Sequence, residues 1–481
     1  MAEEIRLKKE FYKLEKIINK SIDNNDFERA MAGISALGQC YYEWNQFFTN
    51  DFLEESIKRI GNKMFPQISY NSCNNVILFY DGFALDTRGL ALVYLKALTY
   101  MNDYKIIYVT DKSAEGKQPI IAKSVNEKNI EYVYVDLRFS YVEQVEVISA
   151  LFKKYKPANA FFYTFSQDVA AAIVFGQLKD TIRFLINLTD HAFWLGRNAV
   201  DYVLEFRDYG YYVSKVHRKI KPEQMIILPY YPFVDPDILF EGLPFEKKDK
   251  KLIFSGGALY KTLSKDNYYY EIVDEILNKH SDVSFLYAGA GDTTRMEELM
   301  RKHPQQVFYM DERKDFYGIM KECYLYLNTY PVLGGLMTQY AAVAGKLPIT
   351  LKNGQLQDGF LINQNNLRIF YNTKTDLLND VDLLLDNENY YKEKVQRLFD
   401  DEYVINPEKF KSELCFVIKN HKSSYEYNEV VVELEQFRKE YDFNFKRRNI
   451  CNAIISKRNR KLILLFPKLF VEKVIYKFLK K

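Results

Sequence analysis

Histidine, tryptophan and cysteine are scarce in this sequence: 481 residues hold five His, two Trp and five Cys. The cysteines (Cys40, Cys73, Cys323, Cys415, Cys451) are scattered, without a CxxC pair or a His at metal-ligand spacing. That excludes a disulfide scaffold and a zinc site, and it fits a reducing compartment. No apolar run approaches the roughly 18 residues that a spanning helix needs, and the first residues form a charged helical pattern rather than a leader. The reading is therefore of a cytoplasmic protein. An acidic DxD following a strand, the usual seat of a metal-bound diphosphate, is also lacking. Asp235-Pro236-Asp237 falls in an apparent linker and Asp380-Val381-Asp382 in a helical pattern, so no metal and no cofactor is expected.

Charge of one sign does not dominate either. The net charge is +3, but residues 446–481 carry twelve Lys or Arg against the single acid Glu472, a local +11 that leaves −8 for the rest. A nucleic-acid binder spreads its basic surface over the fold, so that partner is not expected. The tail interleaves its lysines with Leu462, Ile463, Leu465, Phe466, Leu469, Phe470, Ile475, Phe478 and Leu479. Such a composition predicts an interfacial helix on an anionic membrane surface. The alternative is a helix packed back on the fold, and Pro467 interrupts any single long helix.

Aromatic residues are abundant, at 16% with 39 Tyr and 35 Phe. Strands and cores use Tyr and Phe freely, so the surplus alone names no partner.

Residues 1–70 have apolar positions at helical spacing (Phe11, Leu14, Ile17, Ile18, then Phe27, Ala30, Met31, Ile34, Leu37) and read as a helical cap, with Asp26 as the N-cap of its second helix. From residue 75 the pattern becomes short β-rich runs alternating with helices: 76–80, 105–109, 132–135, 160–164, 183–188, 202–205 and 225–228. A Pro-rich stretch from Pro229 to Asp237 follows as a linker. The alternation then restarts at 252–255, 283–287, 307–310, 324–328 and 347–351. Alternation of this kind predicts an α/β protein with two Rossmann-like domains facing across a cleft, ligands lying at the carboxyl ends of the strands. The expected division is 1–70 helical cap, 71–235 acceptor domain, 236–390 nucleotide-sugar domain and 391–481 helical C-terminal region with the basic tail.

Three loops carry candidate chemistry. After the first strand of the second domain comes Ser255-Gly256-Gly257-Ala258-Leu259-Tyr260-Lys261, whose small residues let amides approach a diphosphate while Lys261 supplies charge. A tight turn with a solvated lysine is the alternative. Next, Gly334-Gly335-Leu336-Met337-Thr338-Gln339 enters a helix, leaving the amides of Gly335, Leu336 and Met337, and the Thr338 hydroxyl, at the positive end of a dipole. In the first domain, Thr189-Asp190-His191-Ala192-Phe193-Trp194 follows a strand and offers His191, with Asp190 to orient it, as the catalytic pair. A structural histidine is the alternative. The loop after residue 80, with Asp86 and Arg88, faces the acceptor side together with Trp194, or else merely caps a helix.

These loops, the stretch Asp201–Gly210 closing on Leu228-Pro229-Tyr230-Tyr231-Pro232, and the helix ending at Ala344-Gly345 resemble GT-B glycosyltransferases over about residues 75–390. Within them the likeness is to the O-GlcNAc transferase group and its bacterial adhesin-glucosylating relatives. The resemblance implies a metal-independent hexosyltransferase using a UDP-sugar, with Lys261 and the amides around Leu336 to Thr338 holding the diphosphate and His191 near the transferred sugar. The acceptor would be a glycan, a lipid-linked sugar or a protein, in bacterial surface polysaccharide or glycoconjugate assembly. One departure matters: the acid that these families place near Tyr340 is absent, leaving Gln339 or Tyr340 as ribose-side substitutes. That absence supports the alternative of a non-catalytic GT-B-like subunit that binds an acceptor or partner transferase.

Overall fold

The structure, a computed structural model, describes residues 2–65, 67–86, 89–353, 359–430 and 445–478, together with 434, 435, 438, 439 and 442. The chain divides into two compact units. The first comprises Met1–Leu228, Phe410–Asn428 and Phe445–Lys481; the second comprises Pro229–Lys409 and Glu429–Asn444.

The first unit is built on a seven-stranded sheet of β1 (Cys73–Asp81), β2 (Lys105–Asp111), β3 (Ile130–Val135), β4 (Pro157–Tyr163), β5 (Ile182–Ile186), β6 (Tyr202–Glu205) and β7 (Met225–Ile227), in the order β3-β2-β1-β4-β5-β6-β7. Every pairing is parallel. Parallel strands need helical crossovers that cover both faces, so the central strands read as continuous apolar runs, as in the Phe79-Tyr80 and Phe161-Phe162 pairs.

Three helices precede this sheet: α1 (Ala2–Asp23), α2 (Phe27–Trp44) and α3 (Asp51–Met64). Asp26 caps α2 by accepting from the Arg29 amide, and Asn50 caps α3 by accepting from Leu53. Leu7, Phe11, Leu14, Ile18 and Ile22 form the inner stripe of α1 and are fully buried. They join one continuous core with the strands and with Ile450, Ile454, Leu462, Phe466 and Leu469 of the C-terminal segment. That segment is thus part of the first unit's interior, and removing it would strip apolar surface from α1 and α2.

The second unit repeats the architecture with six strands: β8 (Lys251–Gly256), β9 (Val283–Ala288), β10 (Val307–Met310), β11 (Leu325–Leu327), β12 (Leu347–Leu351) and β13 (Phe370–Tyr371), ordered β10-β9-β8-β11-β12-β13 and again all parallel. The two-residue β13 is the strand that residue patterning did not reveal, since two residues show no period.

Candidate functional site

In the second unit the loops at the carboxyl ends of β8, β9 and β11 are held together by backbone contacts. Gly257 N donates to the Ala288 carbonyl at 2.9 Å, Leu259 N to Ala290 at 2.9 Å, and Val332 N to the Lys261 carbonyl at 3.2 Å. The approach is close enough to dictate glycine. A Cβ on Gly289 would stand 1.9 Å from the Gly257 oxygen, and Gly257 itself has φ +129°. Gly256 lies against the Met337 side chain, 3.5 Å from where its Cβ would be, which brings the β8 loop to the first turn of the helix Gly335–Val343.

Lys261 sits in a short 3₁₀ turn, Leu259–Thr262. Burial pulls its ammonium below the ordinary lysine range. Among the described residues no side chain or carbonyl accepts from Nζ. The helix beside it begins at Gly335 with Gly334 as an N-cap that offers no side chain, and its partly exposed first residues Gly335, Leu336 and Met337 have amides without intrahelical partners. Asn328 shapes this entry: its Oδ1 accepts from the Thr329 and Gly334 amides, both at 2.9 Å, and its Nδ2 donates to Thr338 Oγ1 at 3.0 Å. Asn328 escaped the sequence reading because it lies at the end of β11, before the glycines that draw the eye.

Three side chains expected at this site are used otherwise. The Thr338 hydroxyl is fully buried and donates to the Gly334 carbonyl at 2.9 Å, so it stabilises the helix entry and is not free for a ligand. Tyr340 is 4% exposed, donates its hydroxyl to Phe233 O and packs against Phe316. Gln339 donates to the carbonyls of Tyr230 at 3.3 Å and Phe360 at 3.2 Å, while its buried Oε1 has no partner among the described residues. Tyr340 is therefore turned into the core, and of the two ribose-side candidates only the amide oxygen of Gln339 keeps unused capacity among the described residues.

In the first unit, His191 follows β5 on a turn and is 41% exposed. Its Nδ1 lies 3.2 Å from Asp190 Oδ1, which orients the ring and leaves Nε2 on the outer side. Asp190 is 1% exposed and receives Arg207 Nε at 2.6 Å and Nη2 at 3.1 Å. Burial opposes its ionisation, yet the Arg207 charge and the hydrogen bonds from His191 and Arg207 prevail and hold the carboxyl at about 2. Arg218, fully buried, donates to the carbonyls of Thr189, Asp190 and Ala192 at 3.2, 2.8 and 2.7 Å. Burial pulls its guanidinium down to about 10. Beside it Glu205 accepts from Asn187 Nδ2 at 2.9 Å and from the Ser214 hydroxyl, and burial pushes its carboxyl up to about 7.

Gly210 packs where a Cβ would meet Glu205 Oε2 at 2.3 Å. From α2, Asn45 donates to the His191 carbonyl at 2.9 Å. The loop bearing His191 is accordingly clamped from beneath by two buried arginines and two buried acids. Arg207, Glu205 and Gly210 lie in the Asp201–Gly210 stretch, but nothing in the spacing tied them to His191.

Trp194, expected on the acceptor side, is 5% exposed with Arg218 5.1 Å over its ring. Its bulk supports the loop from inside, with its ring turned away from solvent. Asp86 is partly exposed and accepts from the Tyr163 hydroxyl at 3.1 Å. Arg88 lies outside the described residues.

The basic tail is divided in a way that composition did not indicate. A short helix Arg460–Ile463 is followed by the helix Pro467–Phe478. Leu462, Phe466 and Leu469 are core residues, and Glu472 is bound by Arg447 at 2.9 Å and by Arg6. Phe470, Val471, Val474, Ile475 and Phe478 point outward, 39–72% exposed. The helix is thus docked on the fold through one face, the alternative that the sequence offered, and keeps a separate outward apolar stripe on the other, while Leu479, Lys480 and Lys481 lie outside the described residues. Among the described residues no helix is long and apolar enough to cross a membrane.

Two all-parallel sheets, each flanked by helices and each ending in glycine-bearing loops at its strand carboxyl ends, together with helical N- and C-terminal segments, give the chain the GT-B fold. Among solved structures it is similar to a variant of O-GlcNAc transferase from Thermobaculum terrenum, at 11% identity over 90% of this chain and 83% of that one, with a TM-score of 0.52. A glycosyltransferase from Rickettsia africae is similar at 11% identity over 73% and 98%, TM-score 0.51. A Listeria monocytogenes protein assigned as a UDP-N-acetylglucosamine 2-epimerase is similar at 12% identity over 75% and 100%, TM-score 0.52. At such identities the likeness is one of fold. No family model matches the chain, and no curated protein does so either.

Proposed function

We propose that the chain is a glycosyltransferase moving a sugar from a nucleotide-sugar donor, a UDP-sugar before others, to a glycan, lipid-linked or protein acceptor. The observation that carries this is Lys261, a cation drawn into a partly buried position with no counter-ion among the described residues, beside a glycine loop and an uncapped helix start. Burying a charge is costly unless something compensates it, and a diphosphate would accept from Lys261 and from the amides of Gly335 to Met337 together. Those groups would neutralise the leaving diphosphate as it departs, the role a metal plays elsewhere. On the acceptor side, His191 has the exposure and the Asp190 support of a general base.

Two of the similar structures are named as transferases, and the third as a UDP-N-acetylglucosamine 2-epimerase. The test therefore separates those outcomes. Thermal shift against UDP, GDP, ADP and CDP identifies the base, and the matching sugar nucleotides are then followed by NMR. Release of nucleotide with the sugar appearing on the acceptor supports transfer; inversion at C2 of the sugar without such transfer identifies an epimerase. A second reading, a binding subunit without turnover, is favoured by the missing acid in the helix Gly335–Val343 and by the inward turn of Tyr340. Nucleotide binding with no turnover of any donor would establish it.

The outward stripe of the helix Pro467–Phe478, rimmed by Lys468 and Lys477, fits the anionic face of a membrane and would bring the chain to a lipid-linked acceptor. On this reading the protein works at the cytoplasmic side, peripheral to the membrane.

A further inference from the structure

A pocket of about 340 Å³ opens wholly within the first unit, between α2, the turn after β4 and residues 449–459 of the C-terminal segment. Its position is informative, because the β4 turn lies at the carboxyl end of a parallel strand, where open α/β sheets hold their ligands. The volume lies within the range of small-molecule sites.

Most of the residues that line it carry polar side chains over a partly apolar surface, and their charges cancel. Among the described residues Glu43 and Arg458 are the charged ones that line it. Glu43 is held by Gln39 Nε2 at 2.7 Å, one turn earlier on α2, and by Asn449 Nδ2 at 2.8 Å. Arg458 is held 4.6 Å over the Tyr141 ring and donates to Gln144 Oε1 at 2.6 Å. A nucleoside diphosphate would find no net positive charge here. A neutral ligand rich in hydroxyls would find both donors and acceptors already fixed in place. Gln167 accepts from Ser166 Oγ at 2.8 Å, leaving its Nε2 unused, and the exposed Asn452 makes no side-chain hydrogen bond among the described residues. Each hydroxyl of a sugar donates once and accepts, which side-chain amides and a carboxylate answer in both senses.

We propose that this pocket binds a neutral carbohydrate and that the acceptor is a glycan, engaged by residues the C-terminal segment contributes. What the glycan is used for rests on the transferase reading; its binding does not. The pocket also gives the C-terminal segment a task besides completing the core, since Asn449, Asn452 and Arg458 exist at this site only when residues 445–478 are docked.

The test is saturation-transfer NMR on the full chain with methyl glycosides of glucose, galactose and N-acetylglucosamine, and with lactose and cellobiose. At least one should bind. Asn452→Ala should weaken that binding by about tenfold, the effect of losing one or two hydrogen bonds, and Asn452→Trp should abolish it by filling the pocket. Both variants should keep the wild-type melting temperature and UDP affinity. Absence of binding by every sugar, or binding unchanged in Asn452→Trp, overturns the proposal. Sugar binding without any nucleotide binding would keep the pocket and remove the transferase reading instead.

Discussion

Arg207 grips both carboxylate oxygens of Asp190 inside the first unit, and the histidine next in sequence is left 41% exposed on the loop that this pair ties down. Breaking such a buried pair leaves an uncompensated charge, at about 3 to 5 kcal/mol. Asp190→Asn should therefore lower the unfolding free energy by that amount, read from urea titration, while leaving the second unit's nucleotide affinity intact. A variant as stable as wild type would mean that the pair does not hold the loop.

The buried acids predict the pH dependence of stability. Glu205 is raised from 4.5 to about 7 and Asp81 from 3.8 to about 6, both by burial. Between those values the folded state holds more protons than the unfolded one, so stability falls as pH rises through each window and is fully reduced above about 7. Asp190 works in the opposite sense: its contribution is complete above its ordinary value of 3.8 and is lost as pH falls through about 2. The melting temperature should peak between about pH 4 and 5 and decline toward pH 8. Glu205→Gln should flatten much of that decline, and superimposable profiles would refute this assignment.

Lys261 gives a prediction with two opposed signs. Lys261→Met should weaken UDP binding by about 1.5 to 3 kcal/mol, the range for a charged hydrogen bond, measured by titration calorimetry. Because burial lowers the lysine's folded pKa, its charged form costs stability at neutral pH, and the same variant should melt higher than wild type. Weaker binding together with a lower melting temperature would indicate a structural lysine.

His191→Ala should reduce kcat by about 10²- to 10⁴-fold, the contribution of general acid-base catalysis, with donor affinity unchanged. The main-chain contact from Asn45 survives the substitution, so the loop should stay in place. Near-normal turnover would return His191 to a structural role.

The membrane face can be tested without unfolding the tail. Truncation after Phe445 would remove the core residues Ile450, Leu462 and Leu469, so charge is better placed on the outward stripe. The triple variant Val471→Glu, Ile475→Glu, Phe478→Glu should stay in the supernatant on sedimentation with phosphatidylserine vesicles, whereas wild type should pellet, both melting alike. Equal partition of the two proteins would favour a soluble acceptor.

The sequence by itself determined the two runs of parallel strands, because short β-rich apolar runs alternating with helical patterns are a local signal. Twelve of the thirteen strands are legible in this way, and only the two-residue β13 is not. The loops around Gly256, Gly335 and His191 were legible too, since scarce residues and glycine pairs at strand ends stand out in one dimension. Tertiary structure alone decided what each side chain does there. Whether Thr338 and Trp194 meet solvent depends on Asn328 and Arg218, partners 10 and 24 residues away whose arrival no local pattern encodes. The same holds for the tail: composition could show that it is basic and apolar, but which of Leu469 and Phe470 faces inward is fixed by α1, more than 400 residues earlier, through the ion pairs of Arg6 and Arg447 with Glu472.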